Sequence, residues 1–157
     1  MQYAIRMSKF GARKFNQDSY DTNDAYGKAI VTDWLKGQEW VKEIVDEEDF
    51  GIDLEVIDHK GRSHFFEAEV KGNYPWSSRE SFPFKTVSFL GRKKKWEGRG
   101  FYYVLVCAET QALCIAHSSE IFKEDFREVR RINSGHRNGL DAFYRVPKDL
   151  CRWISPK

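Results

Sequence analysis

Three polar side chains, Asp53, Glu69 and Lys71, stand where strand alternation would gather them on one patch. From Ile52 to Ile57 apolar and polar residues alternate, so Ile52, Leu54 and Val56 share one face and Asp53 and Glu55 the other. His59-Lys60-Gly61-Arg62 reads as a turn. From Phe65 to Lys71 the alternation resumes, with Phe66, Ala68 and Val70 on one face and Glu67, Glu69 and Lys71 on the other. Residues two apart on a strand lie about 7 Å apart. Antiparallel pairing of the two strands would bring Asp53 beside Glu69 and Lys71. Two carboxylates and an amine on one patch suit a hard divalent cation and an activated water. A second acidic-x-Lys match, Asp58-His59-Lys60, falls in the turn, where no sheet face would gather it.

Gly51-x-Asp53 followed, after a turn, by Glu69-Val70-Lys71 resembles the PD-(D/E)XK nuclease superfamily. The order of elements read along the chain is helix, three strands, helix and further strand. It resembles the αβββαβ core of that superfamily over residues 24–117. The resemblance implies an α/β fold, restriction endonuclease-like, with a mixed central sheet flanked by helices, in a single domain over residues 1–157. It implies a metal-dependent nuclease hydrolysing phosphodiester bonds, with DNA as partner. Asp53, Glu69 and the backbone carbonyl of Val70 would hold Mg²⁺, for which Mn²⁺ would substitute. Lys71 would hold or deprotonate the attacking water. Many members add an acidic ligand from the preceding helix, for which Asp24 and Glu43 are the candidates here. Glu67 shares the active face as a further ligand or an ion-pair partner. The residue before Asp53 is Ile52, where the name of the motif has proline.

The small size favours an endonuclease that selects the shape of its substrate, or a homodimer that positions two sites. Two other readings stand beside this one. One is a restriction-type endonuclease of the same fold; the other is a nucleic-acid-binding or assembly module without activity.

The elements that must position these residues are read as follows. Asn23 or Asp24 caps a helix running to about Lys36, with Tyr26, Ala29, Ile30 and Trp34 as its apolar stripe. Gln38–Val45 fits either a second helix or a twisted approach to the first strand, and Asp46-Glu47-Glu48-Asp49 reads as a loop. Met1–Asn23 is mixed, with a short strand at Tyr3 and Ile5 or a loose arm. After Gly72 a segment rich in Gly, Pro and Ser places Trp76 where it can stack on a base. Phe82–Leu90 predicts a third strand. Arg92, Lys93, Lys94 and Lys95 predict a short basic helix that contacts DNA phosphates. Phe101–Cys107 predicts an interior strand, and Ala112–Ala116 its neighbour. Ser118 or Ser119 caps a helix to about Arg130, a loop follows at 133–139, and Ala142–Val146 predicts an edge strand. Pro147 opens a last helix over Lys148–Ile154.

The chain has 157 residues, 41% of them hydrophobic, which is enough for one domain with a sizeable core. No apolar run is long enough to span a membrane, and no signal peptide is read at the start. Cys107, Cys114 and Cys151 are odd in number and lack Cys-x-x-Cys spacing. That predicts reduced thiols in a cytoplasmic setting rather than a zinc site. Charge is unevenly spread: residues 1–71 carry 10 Lys+Arg against 15 Asp+Glu, and residues 72–157 carry 16 against 9. A basic half beside an acidic cluster suits a phosphate backbone held against a metal site.

Overall fold

The computed structural model describes residues 15–46, 52–72, 74–134 and 137–156. The first element is helix α1 (Phe15–Lys36), whose buried stripe includes Val31 and Leu35. Strands β1 (Val41–Asp46), β2 (Leu54–Asp58) and β3 (Ser63–Lys71) follow as an antiparallel meander. Next come β4 (Thr86–Leu90), a 3-10 turn over Gly91–Trp96, β5 (Tyr102–Cys107) and β6 (Leu113–His117). A four-residue helix α2 (Ser118–Ile121) and a 3-10 turn at Glu124–Phe126 lead into the hairpin of β7 (Arg127–Ser134) and β8 (Arg137–Pro147). A 3-10 turn at Lys148–Leu150 precedes β9 (Arg152–Ile154).

The larger sheet is mixed and runs β1-β2-β3-β5-β6-β9, with β3 parallel to β5 and every other pair antiparallel. A parallel pair cannot be closed by a hairpin. The crossover from Gly72 to Phe101 serves here, carrying β4 and the 3-10 turn. α1 covers one face of the larger sheet, packing Val31 and Leu35 against Leu54, Val56, Phe66, Val104 and Val106. Each such side chain contributes about 1.5–3 kcal/mol by leaving water. The small sheet β4-β8-β7 covers the other face, where Val87, Phe89, Tyr144 and Val146 meet Tyr103, Leu105 and Cys107. The architecture is therefore a helix, a mixed sheet and a second sheet in three layers. Gly27 sets how closely α1 lies on β3. A Cβ at that residue would stand 3.0 Å from Val70 Cγ2.

The turn between β2 and β3 is held by one carboxylate. Asp58 Oδ1 accepts from the backbone N–H groups of Lys60 and Arg62, both at 2.9 Å. Oδ2 accepts from Arg62 Nε at 3.0 Å and lies 3.0 Å from His64 Nε2. The bond with His64, then the backbone N–H of Arg62, hold the Asp58 carboxyl far below the ordinary aspartate value. So the second acidic-x-Lys match is a structural turn. Asp58→Ala should lower the melting temperature by several degrees. A depressed folded pKa adds stability above the unfolded value of 3.8 and loses it as pH falls. The wild-type advantage over Asp58→Ala should therefore shrink in acid, which melts at several pH values will read.

Several expectations are corrected. α1 begins at Phe15, so Asn23 and Asp24 lie inside the helix and do not cap it. Gln38–Val45 resolves into β1 from Val41, and Asp46 closes that strand; residues 47–51 lie outside those described, as do 1–14. The third strand starts at Thr86, not Phe82, and the basic helix is a 3-10 turn. The helix expected from Ser118 to Arg130 stops at Ile121. Ile121, Phe122 and Phe126 imitate a helical stripe, and all three pack on the core. Pairing with β8 then draws Arg127–Ser134 into a strand. Within 133–139, expected as a loop, β7 and β8 continue on both sides of residues 135–136, which are not among those described. Ala142–Val146 lies in β8, the middle strand of the small sheet and not an edge. The final helix is a 3-10 turn followed by β9, which adds to the edge of β6.

Candidate functional site

β2 and β3 differ in length, and the difference makes the site. Their pairing ends at Leu54 opposite Phe66, whereas β3 continues to Lys71 and stays paired with β5 throughout. The edge of β3 from Glu67 to Lys71 is thus left by β2. Asp53, the residue before β2, reaches back to it, and its Oδ2 accepts from the Ala68 N–H at 2.8 Å. Successive peptide groups of a strand point to opposite edges. Lys71 O accepts from Ala108 N on the β5 side. The Val70 carbonyl therefore points to the same open edge as the Ala68 N–H, where Asp53 stands.

Glu67, Glu69 and Lys71 form a row on the face of β3 that turns towards the small sheet. Glu67 is fully buried, at 0% exposure. Its Oε2 accepts from Lys93 Nζ at 3.2 Å, and its Oε1 has no hydrogen-bond partner. Burial, and next the negative charge of Asp53, push the Glu67 carboxyl up to about 8. One place along, Glu69 Oε1 accepts from the hydroxyl of Tyr103 and Oε2 pairs with Lys71 Nζ at 2.8 Å. Burial, then the charge of Glu69, hold the Tyr103 hydroxyl well above the ordinary range, so it stays a donor.

α1 brings more charge to the same end of the sheet. Asp24 is half-buried, and burial followed by the charge of Asp53 raises its pKa. Lys28, one turn on, is buried and donates to Asp46 Oδ1 at 2.8 Å. Burial alone would pull the Lys28 ammonium down; the bond to Asp46 and the charges of Asp53, Asp46 and Asp24 outweigh it, and the net shift is upward. Asp46 Oδ2, like Glu67 Oε1, is buried without a hydrogen-bond partner. Among the described residues, Asp24, Asp46 and Asp53, with Glu67 beside them, face two ammonium groups, Lys28 and Lys93, which leaves a surplus of negative charge.

That surplus, with an orphaned carboxyl oxygen beside Asp53, fits a cation. Oxygen donors fit a hard one. Among the described residues no three His, Cys, Asp or Glu side chains stand close enough to hold an ion by themselves. Mg²⁺ commonly takes one or two carboxylates and completes its shell with water and phosphate oxygens, so the donor set fits Mg²⁺ in that mode.

The residues singled out in the sequence divide as follows. Asp53 and the Val70 carbonyl lie at the edge of β3 that β2 leaves, Glu69 and Lys71 pair with each other on the face of β3, and Asp24 stands within electrostatic range of Asp53. Glu43 is exposed on β1, an edge strand separated from β3 by β2. Arg92, Lys94 and Lys95 are exposed on the 3-10 turn, whereas Lys93 turns inward to Glu67. Trp76 is corrected as a base-stacking residue. It is 3% exposed, with Phe82 and Trp153 packed edge-on against its ring. The exposed aromatic of that segment is Tyr74. Sequence reasoning missed Asp46, Lys28, Lys93 and Tyr103 as members of the cluster. The spacing of Asp24 and Lys28 by four on a helix was the available signal for one of them.

The chain matches no protein-family model, no curated protein and no solved structure. No helix among the described residues is long and apolar enough to cross a membrane.

Proposed function

We propose that this protein is a divalent-metal-dependent nuclease that hydrolyses phosphodiester bonds in DNA, built on a restriction endonuclease-like core. One observation carries the reading: Asp53 closes on the open edge of β3 beside a buried, unpartnered oxygen of Glu67, with Glu69 and Lys71 next in the row. The element order supports the fold. α1, the β1–β3 meander, a crossover and β5 parallel to β3 follow the αβββαβ plan. The departure is that a 3-10 turn and β4 stand where the plan has its second helix.

Asp53, one carboxylate of the β3 row (Glu67 or Glu69) and the Val70 carbonyl are the groups that would hold Mg²⁺ or Mn²⁺. When bound, the ion supplies a water of lowered pKa and polarises a phosphoryl oxygen. Lys71, tied to Glu69 at 2.8 Å, would hold the attacking water at its Nζ and, as the neutral amine, take its proton. Tyr103 fixes Glu69 from beneath, which keeps the Glu69–Lys71 pair in place as charge develops. Lys93 offsets the charge of Glu67. Arg92, Lys94 and Lys95 present exposed charge to a phosphate backbone.

The absence, among the described residues, of a third carboxylate close enough for a closed metal cage favours one other reading, a DNA-binding module of the same fold without activity. Incubation with supercoiled plasmid and branched oligonucleotides in Mg²⁺, Mn²⁺ or EDTA separates them. Nicking that needs metal and is lost in Lys71→Ala is the expected result. DNA binding indifferent to EDTA, with no cutting in either metal, sinks the nuclease and leaves the module.

A further inference from the structure

A cavity of about 460 Å³ begins at Lys71 and runs to the edge strand β4 of the small sheet. Its volume is in the range of small-molecule and cofactor sites. Tyr74, Phe82 and Phe84 line it from the crossover, and Phe143, Arg130 and Arg145 line it from the small sheet. Tyr74 and Phe84 are 50% and 47% exposed, and their rings meet edge to face at 5.1 Å. Two large aromatic rings left half in water beside a cavity offer apolar surface to a flat ligand.

The two guanidinium groups are held in place. Arg130 Nη2 donates to Ser88 Oγ and Arg145 Nε to Thr86 Oγ1, each at 3.3 Å. Glu128 pairs with both, at 2.9 Å to Arg130 Nε and 3.1 Å to Arg145 Nη1. Asp141, directly across from Arg130 in the β7–β8 ladder, shares this face, so the two guanidinium groups offer fixed donors at the rim rather than a net positive charge. Arg130 also lies over the ring of Phe143, 4.9 Å from its centroid. Aromatic faces with anchored guanidinium donors at the rim match a nucleobase on its phosphate.

Resting on the nuclease reading, we infer that this cavity takes one unpaired nucleotide of the substrate, stacking its base on the aromatic wall beside Lys71 and setting its phosphate against Arg130 and Arg145. A concave site of this size admits a base only when it is out of the helical stack. The substrate class is therefore nucleic acid with an unpaired nucleotide at the cleavage point, such as a single strand, a flap or a mismatch, and not intact duplex.

The test is binding in EDTA, where hydrolysis plays no part. A short single strand carrying 2-aminopurine, and the matching blunt duplex, are titrated with the full chain and followed by anisotropy and base fluorescence. The single strand should bind about 10-fold or more tighter than the duplex, with quenching of the base. Phe84→Ala and Tyr74→Ala change exposed rings, and each should weaken single-strand binding by about 5- to 150-fold and remove the quenching. Arg145→Ala should weaken binding and flatten its salt dependence. Equal affinity for strand and duplex, or full affinity in Phe84→Ala, overturns the inference. Plasmid nicking in Mg²⁺ by the same preparation reads the hydrolytic proposal separately. Nicking without base binding removes the pocket alone, and base binding without nicking removes the nuclease alone.

Discussion

Asp53→Asn is expected to abolish Mg²⁺-dependent nicking of plasmid DNA, by at least about 10²-fold, and at the same time to make the metal-free protein more stable at neutral pH. Asparagine keeps the shape of aspartate, and its side-chain oxygen can still accept from the Ala68 N–H at the open edge of β3. The fold therefore loses little. What disappears is a negative charge beside Glu67, the largest cause after burial of that residue's raised pKa. Asp24 is relieved as well, since Asp53 is the second cause of its shift. A group that destabilises the resting fold and is needed for turnover is the mark of a working site. Lys71→Ala should lose activity by about 10²–10⁴-fold, the usual contribution of a positioned proton-transfer group. It lacks the stability gain, because it leaves Glu69 with Tyr103 alone. Nicking rates and thermal melts of the two variants, read together, check this. Wild-type nicking in Asp53→Asn would remove Asp53 from the chemistry.

How much of this is legible in the residues depends on whether a signal is local. The β2–β3 hairpin is readable because alternation and turn chemistry agree, and Asp58 with Gly61 at φ +80° builds the turn. β5 is readable as an unbroken apolar run, since both its faces are covered. The row Glu67, Glu69, Lys71 follows from the period of two. Its meeting with Asp53 does not, because it depends on β2 ending at Leu54 while β3 runs on. The Arg-rich stretch after Phe126 reads as helix but folds as strand, because pairing with β8, eleven residues long, is a tertiary choice. Trp76 looks available beside Gly and Pro, yet the core below β3 has room for its ring. The inward turn of Lys93 cannot be told from its neighbours Lys94 and Lys95. Only the buried oxygen it faces singles it out.

Glu67→Gln should remove the pH dependence that this one side chain imposes. The folded-state pKa of about 8 stands above the ordinary glutamate value of 4.5, so the folded chain holds a proton that the unfolded chain has already released. Stability from this group is full below 4.5 and is lost as pH rises through about 8. A pKa raised by one on folding is worth about 1.36 kcal/mol, so the loss in metal-free wild type is on the order of 3–5 kcal/mol across that window. Glutamine keeps the volume and stays neutral, as the protonated acid does. The variant should therefore match wild type near pH 5 and exceed it increasingly towards pH 8, in melts recorded in EDTA. Titrating groups far from Glu67 are common to both proteins and cancel in the difference. Metal reverses the order. A divalent cation favours the ionised carboxylate, so Mg²⁺ should raise the wild-type melting temperature more at pH 8 than at pH 6. Glu67→Gln should lose that dependence on pH. Parallel curves for the two proteins across pH, with and without Mg²⁺, would show that Glu67 neither carries the strain nor faces the ion.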